Sequence, residues 1–542
     1  MSVSVTFLGG LGEIGRNCAS LEVNGRLALI DCGLMFPEED MLGVDLVLPD
    51  FSSMYRRSDD VDCVVLTHGH EDHVGALVYF LSVVDVPVYG TALAVEFARP
   101  RLEEAGIDAD LRAVPTGEWV EHGVFRFELI PVSHSIPQGA GVAFDTPEGL
   151  VVHSGDFKLD PTPIDAAPTD LPEFAALGRR GVRLLLADST NAETPGFVPS
   201  ESSLRQPLYE IVVESKGRLV AACFASHVHR VQQIVDAAVD AERSVAFLGR
   251  SMLRNVPIAE RLGLLRIPEG VVVSLEELRT LPRNRQAVIS TGAQGEPYAA
   301  LSLMASGDHK LVHVEAGDTV LISARPIPGN ETRVSRVINA LTRIGARVYH
   351  GENAEVHVSG HAAQDELRTF FNVVRPQAFV PVHGEYRHLA AHAALAEEMS
   401  VPEVFLCEDG DRIVLDGGEA RLEPAAVPAG HVYVDGLEVG DTVGGVIRDR
   451  RHLAEDGVVV VTLAIDGRTG EIVQGPDLES HGFMDDPEAV FAKASAAVGT
   501  EVATVWPSDS ETLRRHVKGA VNRVVRAETA RRAVVIPVLI EI

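Results

Sequence analysis

The chain has 542 residues, room for about three domains at ~100–200 residues each. Its 46% hydrophobic and 23% charged residues exclude wholesale disorder and collagen-like or coiled-coil character, and no apolar run approaches the ~18 residues that span a bilayer. A net charge of −31 argues against a protein that coats nucleic acid nonspecifically, but not against a locally basic groove, because fields fade over ~8 Å in physiological salt.

The first 160 or so residues read as short strands and tight turns, with strands at Val3–Leu8, Ala19–Val23, Leu27–Asp31 and Val61–Thr67. Asn24-Gly25 turns the second into the third. A helix is predicted over Val74–Leu81, and strands resume at Val86–Tyr89, Phe125–Val132, Leu150–Ser154 and Leu184–Ala187. This interleaving is that of an α/β layered domain. From about Ser200, longer helical stretches separate strands at Arg218–Cys223, Ser244–Leu248, Ala287–Ser290 and Thr319–Ser323, a second α/β unit. Ala378–Val382 is a strand leading into His383-Gly384-Glu385. Beyond a Pro/Gly-rich boundary near Pro424–Gly430, Gly457–Ile465 and Glu471–Gly475 form a hairpin, followed by two helices and a last strand, Ala533–Glu541. In the second helix, Ser510–Ala527, Leu513, Val517, Val521 and Val524 keep helical spacing among Arg514, Arg515, Lys518, Arg523 and Arg526. A solvated basic face is favoured there over direct RNA contact. The five cysteines (Cys18, Cys32, Cys63, Cys223, Cys407) form no CxxC pair, and the N-terminus lacks the basic start and apolar stretch of a secretion signal. A reducing, cytoplasmic setting fits.

Gly10-Leu11-Gly12-Glu13-Ile14-Gly15 matches GxGxxG, but a dinucleotide site needs a helix next, and Asn17–Val23 reads as a strand. A turn that shapes the mouth of a site is the better reading. The strong signal is Thr67-His68-Gly69-His70-Glu71-Asp72-His73, immediately after a buried strand. His68 and His70 leave the strand on one side, whereas Asp72 and His73 begin the next helix and point elsewhere, so one short segment can serve two adjacent ions. Imidazole and carboxylate without thiolate suit zinc or manganese. His134, Asp156 and His383 each follow a buried strand and are candidates for the remaining ligands.

With Asp31 ending a strand, this order of residues resembles the metallo-β-lactamase-fold hydrolases. The resemblance implies that His68, His70 and His134 hold one ion and Asp72, His73 and His383 the other. Asp156 would bridge them, and Asp31 would orient the histidine loop from behind. The 226 residues between Asp156 and His383 admit a whole inserted domain, unlike simple hydrolases of this fold. Asp188 in Asp-Ser-Thr-Asn, His361 in His357-Val358-Ser359-Gly360-His361 and His383 in Pro-Val-His-Gly-Glu resemble motifs A, B and C of the β-CASP nucleases. Phe224–Arg230, Gly249–Met252, Pro326–Glu331 and the C-terminal Ile-Pro-Val-Leu-Ile-Glu-Ile are closer still to bacterial ribonuclease J, and the likeness covers essentially the full chain. Gln138 departs from it, standing where an aspartate is frequent.

The resemblance implies an α/β metallo-β-lactamase αββα sandwich (1–200 and 351–428), an inserted β-CASP domain (201–350), a linker (429–456) and a C-terminal α/β domain (457–542). It also implies a ribonuclease of 5′→3′ exonuclease and endonuclease activity in RNA maturation (including rRNA processing) and mRNA decay. Two Zn²⁺ ions (Mn²⁺ or Mg²⁺ in vitro), about 3.5–4 Å apart, would activate water and clamp phosphoryl oxygens. Asp72 would orient the nucleophile, and His361, held by Asp188, is the candidate general acid, with plain substrate binding as the even alternative. Ser226, His227, Val228 and His357 to His361 (His357, Val358, Ser359, Gly360, His361) would contact a single-stranded, 5′-monophosphorylated RNA running between the first two domains. Arg230, Arg250 and Lys158 are natural charge partners for its backbone, or else solvated surface cations. Gly43 (by its carbonyl), Asp45 and Asp435 are candidate ligands of a structural Ca²⁺. A homodimer or homotetramer, and an RNA-degradation complex, are further implications; a membrane is not. The rival readings are an esterase or lactonase of the same fold, a DNA or 3′-processing nuclease, and a non-catalytic RNA-binding scaffold.

Overall fold

The computed structural model describes residues 3–38, 41–436, 438–440 and 443–542, which divide into two units. The first comprises Met1–Phe36 and Val47–His431, the second Pro37–Leu46 and Val432–Ile542.

In the first unit, alternating apolar residues build two facing sheets among the described residues. One, of eight strands, is centred on Val3–Gly9, Cys18–Val23, Arg26–Ile30 and Val61–Val65; the other, of seven, on Phe125–Val132, Gly139–Thr146, Gly149–His153, Val182–Asp188 and Ala378–Val382. Val5, Phe7, Leu21 and Ile30 of the first meet Phe127, Leu129, Val142 and Leu186 of the second in a single buried cluster. The opposite face of the second sheet (Ile130, Val152, Leu185, Phe379) is covered by Phe174 and Leu177 of helix Leu171–Arg180 and by Phe370 and Phe371 of helix Gln364–Val374. Apolar runs buried on both faces of their sheet are what the strand interiors require.

Between Asp188 and Gln364 the chain forms a parallel sheet of five strands, with Leu219–Ala222 and Gln286–Ser290 central. Ala221 and Ile289 pack to one side, Val220 and Val288 to the other. Leu93, Phe97 and Ile136 of the first domain join the former cluster, so the inserted domain shares core with its host. Consecutive parallel pairing through Gly149–His153, Val182–Asp188 and Ala378–Val382 brings three strand ends, and the residues beyond them, to one edge.

The helix expected over Val74–Leu81 is instead two short ones, Glu71–Val74 and Leu77–Leu81. The Ala76 N–H donates to Cys32 O (2.9 Å) rather than continuing a helical ladder, which ties the metal-motif turn to the segment that follows strand Arg26–Ile30 and bears Asp31. The stretch after the GxGxxG match is strand Cys18–Val23, not a helix, which removes the dinucleotide reading.

In the second unit, Val458–Ile465 lies between Ile472–His481 and Val534–Glu541, and helices Glu488–Val505 and Ser510–Thr529 cover one face. Leu513, Val517 and Val521 are buried against Val459, Val461 and Leu463, while Arg514, Arg515, Lys518 and Arg526 face outward.

Candidate metal centre

Seven side chains from four segments converge at the sheet edge. His68 Nε2 lies 3.0 Å from His70 Nδ1, which lies 3.3 Å from His134 Nε2. Asp156 Oδ2 stands 3.7 Å from His68 Nε2 and 3.8 Å from His134 Nε2. The same oxygen is 3.3 Å from His73 Nε2. Asp72 Oδ2 completes a second group, 3.6 Å from His73 Nε2 and 3.5 Å from His383 Nε2. Within each group, one ligand atom per residue lies within 4.8 Å of the others, and Asp156 belongs to both.

Neighbouring oxygens choose which nitrogen of several of these rings faces inward. Asp31 Oδ2 is 2.7 Å from His73 Nδ1 and accepts from Thr67 Oγ1 (2.8 Å), while its Oδ1 accepts the Thr67 N–H (2.8 Å). Thr67 Oγ1 is 3.0 Å from His68 Nδ1, and Gly360 O is 2.8 Å from His134 Nδ1. Each contact leaves an Nε2 lone pair for the centre, the arrangement by which outer partners tune metal-binding histidines. Gly360 is required sterically, since a Cβ there would lie 2.8 Å from two atoms of the His134 ring.

These residues fit divalent ions. His383 Nε2 is buried with no hydrogen-bond partner, a condition that costs free energy unless something occupies the lone pair. Burial drives His68 and His134 well below the ordinary histidine value, keeping them neutral as ligation demands. At His73 burial acts the same way but is outweighed by Asp156, Asp31 and Asp72, which pull it upward. For Asp156, burial is outweighed by His383, His73 and His68, which hold the carboxylate ionised. Carboxylates and imidazoles packed this closely call for positive charge between them.

Beside the centre, His361 Nδ1 is 2.7 Å from Asp188 Oδ2, and the His361 ring centroid is 4.9 Å from that of His134. Of the substrate candidates, His227 caps helix Val228–Asp240, accepting the Arg230 N–H at Nδ1 (3.3 Å), and its Nε2 is buried with no hydrogen-bond partner, 3.7 Å from Glu201 Oε1. His357 Nδ1 is likewise unpartnered, and burial together with Arg230 and Arg325 lowers its pKa to about 3. Ser359 Oγ accepts the His361 N–H (3.1 Å); Ser226 is half-buried, and Val228 and Val358 are buried.

Two of the suggested RNA-backbone cations are structural. Arg230 is fully buried, donating to Glu201 Oε1 (2.7 Å), Val356 O (2.6 Å) and Ser323 Oγ, because its helix position points into the core of the inserted domain. Lys158 is 1% exposed, 3.3 Å from Asp160 Oδ2 and donating to Pro199 O (3.2 Å). Arg250 is exposed. Gln138 serves the helix that follows strand Val88–Gly90, its Oε1 accepting the Leu93 N–H (2.9 Å).

In the second unit, the Asp435 carboxylate is paired with Arg450 (2.6 Å), which also donates to Leu42 O (3.3 Å) and lies against Gly43; Asp45 Oδ2 accepts the Gly436 N–H (2.8 Å). A guanidinium therefore stands against two of the three residues suggested for calcium, Asp435 and Gly43. Thr67 was not singled out from sequence, although a hydroxyl directly before a histidine motif is a recognisable anchor.

Four family models match the chain: the metallo-beta-lactamase superfamily (11–204), the ribonuclease J beta-CASP domain (216–341), the Zn-dependent metallo-hydrolase RNA specificity domain (346–406) and the ribonuclease J C-terminal domain (445–542). Ribonuclease J of Mycobacterium tuberculosis (strain H37Rv) is 42% identical over 99% of this chain and 97% of its own length. The chain belongs to the ribonuclease J family. Ribonuclease J2 of Bacillus subtilis is 36% identical over 100% of this chain and 99% of its own, and ribonuclease J of Thermus thermophilus 39% over 99% and 95%. Among solved structures, a protein of unknown function from Enterococcus faecalis V583 shares the fold at 17% identity (TM-score 0.54), covering 77% of this chain and all of that one. The ribonuclease J architecture, a metallo-β-lactamase domain carrying an inserted β-CASP domain and followed by a C-terminal domain, is that of this chain.

Proposed function

We propose that this chain degrades and matures single-stranded RNA as a 5′→3′ exonuclease preferring a 5′ monophosphate, with endonuclease activity, using two divalent ions. It is a metal-dependent ribonuclease. The observation that carries the reading is the pair of ligand groups sharing Asp156, flanked by the His361–Asp188 pair.

Bound in the two groups, zinc or manganese would activate water at neutral pH and offset charge on the phosphoryl oxygens. Asp72, whose Oδ2 faces His73 and His383, orients the attacking water and accepts its proton. His361 donates a proton to the departing 3′ oxygen; Asp188 keeps its Nδ1 side occupied, so Nε2 is the donating atom. Ser226, His227 and the His357–His361 loop hold the nucleotide, His357 Nδ1 having no hydrogen-bond partner and being free to meet phosphate or sugar oxygens. Calcium forms no part of this proposal. A cytoplasmic location and a homodimer or homotetramer do; five free buried cysteines support a reducing setting, and among the described residues no helix is long and apolar enough to cross a membrane.

The test uses end-labelled RNA bearing a 5′ mono- or triphosphate, with wild type and Asp72→Ala. Mononucleotides released from the monophosphate substrate by wild type alone are expected. Equal cutting by both proteins would overturn the assignment.

A further inference from the structure

The GxGxxG stretch is followed by no helix, so its glycines have another task. Arg16, at its end, is 1% exposed, ion-paired with Glu13 and Asp409 (3.0 Å) and donating to Leu48 O (3.3 Å). That anchor fixes the next residue, Asn17, against the metal-motif turn. The Asn17 N–H donates to Asp72 O (3.0 Å), and its own carbonyl accepts the Gly33 N–H (3.0 Å). Its side-chain Nδ2 lies 3.2 Å from Asp72 O, 3.4 Å from Asp72 Oδ2 and 3.1 Å from His73 Nε2. Gly10, at φ +93°, makes room: a Cβ there would come within 2.5 Å of Asn17 Oδ1.

We propose that Asn17 is a positioning residue for the half-site of Asp72, His73 and His383, and for that half-site alone. The inference rests on the two-ion reading above. Asp72 and His73 are consecutive residues on a one-turn helix with no side-chain cap, a segment too short to hold two ligands in place by itself. Asp31 holds His73 from behind, and Asn17 adds the grip on Asp72, through main chain and side chain together. The other half-site has different supports: Thr67 for His68 and Gly360 O for His134. With His73 Nε2 and Asp72 Oδ2 serving as ligands, the Asn17 amide would keep Asp72 O to donate to.

The experiment is calorimetric Zn²⁺ titration of the metal-free full chain, with His68→Ala and His383→Ala identifying which binding step belongs to which half-site. Asn17→Ala is expected to weaken the His383 step 10–100-fold, the range for outer partners of metal ligands, and to leave the His68 step within about twofold. Equal weakening of both steps, or of neither, overturns the inference. If Asn17→Ala does not fold, Asn17→Ser is read instead, since it keeps a polar side chain but withdraws the amide from Asp72. It should weaken the His383 step alone; no change, or a change shared by both steps, again overturns the inference. A wild type that takes up a single ion sinks the two-ion reading itself, a distinguishable failure.

Discussion

His361 presents one ring nitrogen to Asp188, at 2.7 Å, and the rest of the ring to the metal centre, with its side chain 20% exposed while the Asp188 carboxylate is buried. Burial alone would lower the His361 pKa, but Asp188 outweighs it and the pKa lies above the ordinary histidine value. The carboxylate therefore favours the protonated ring, which loses its proton as pH rises through that raised value. Turnover should fall along this alkaline limb. Asp188→Asn removes the carboxylate and should move the limb to lower pH, whereas His361→Ala should abolish it and cost about 10²–10⁴-fold in rate. A pH–rate profile with pre-bound RNA checks both; a limb that ignores Asp188→Asn would reduce His361 to a phosphate-binding role.

Among the described residues, Asp156 is the carboxylate that belongs to both ligand groups, so its loss differs in kind from loss of a terminal ligand. Asp156→Ala should leave purified protein with fewer than one ion per chain, and His383→Ala with about one. Activity should drop at least ~10²-fold in each, the scale for removing a transition-state charge stabiliser. Chelation should also lower the melting temperature of wild type, because ions that bind only the folded chain stabilise it. Elemental analysis and thermal melts are the measurements.

Much of this centre was legible in the sequence because strand ends are. A buried apolar run that stops at a histidine or aspartate marks where a sheet edge delivers a ligand, and His134, Asp156, Asp188 and His383 all sit at such stops. The fold was readable for the same reason, with long apolar strands such as Phe125–Val132 and Ala378–Val382 found close to their observed bounds. Cationic side chains were harder. Arg230 looks like any arginine on an amphipathic helix, and only the folded partner Glu201, 29 positions earlier, shows that it points inward. Asn17 carries no such signal, because an amide has no motif of its own and its contact is with Asp72, 55 positions away.

Arg230 makes a separable prediction. Arg230→Ala would strand Glu201, 6% exposed, in the core of the inserted domain. Breaking a buried pair by removing one partner costs about 3–5 kcal/mol. Denaturant unfolding should show a loss of that order, while RNA affinity, measured on the fraction that stays folded, should hardly change. A large affinity loss with stability intact would return Arg230 to the RNA channel.

Arg450 sets this chain apart from an expectation built on likeness alone. The resemblance suggests calcium at Gly43, Asp45 and Asp435, yet the guanidinium of Arg450 already offsets Asp435 and donates to the neighbouring Leu42 carbonyl. Calcium binds through oxygen ligands at about 2.3–2.6 Å, and a guanidinium paired with Asp435 repels the ion and occupies a lone pair of that carboxylate. Millimolar calcium, or its selective chelation, should therefore leave the unfolding temperature of wild type unchanged. Arg450→Ala uncovers the carboxylates: because the pair is partly exposed, the direct loss should be small, about 0.5 kcal/mol, but a calcium-dependent rise in melting temperature should now emerge. Calcium stabilising the wild type as strongly as the variant would show that the arginine yields to the ion.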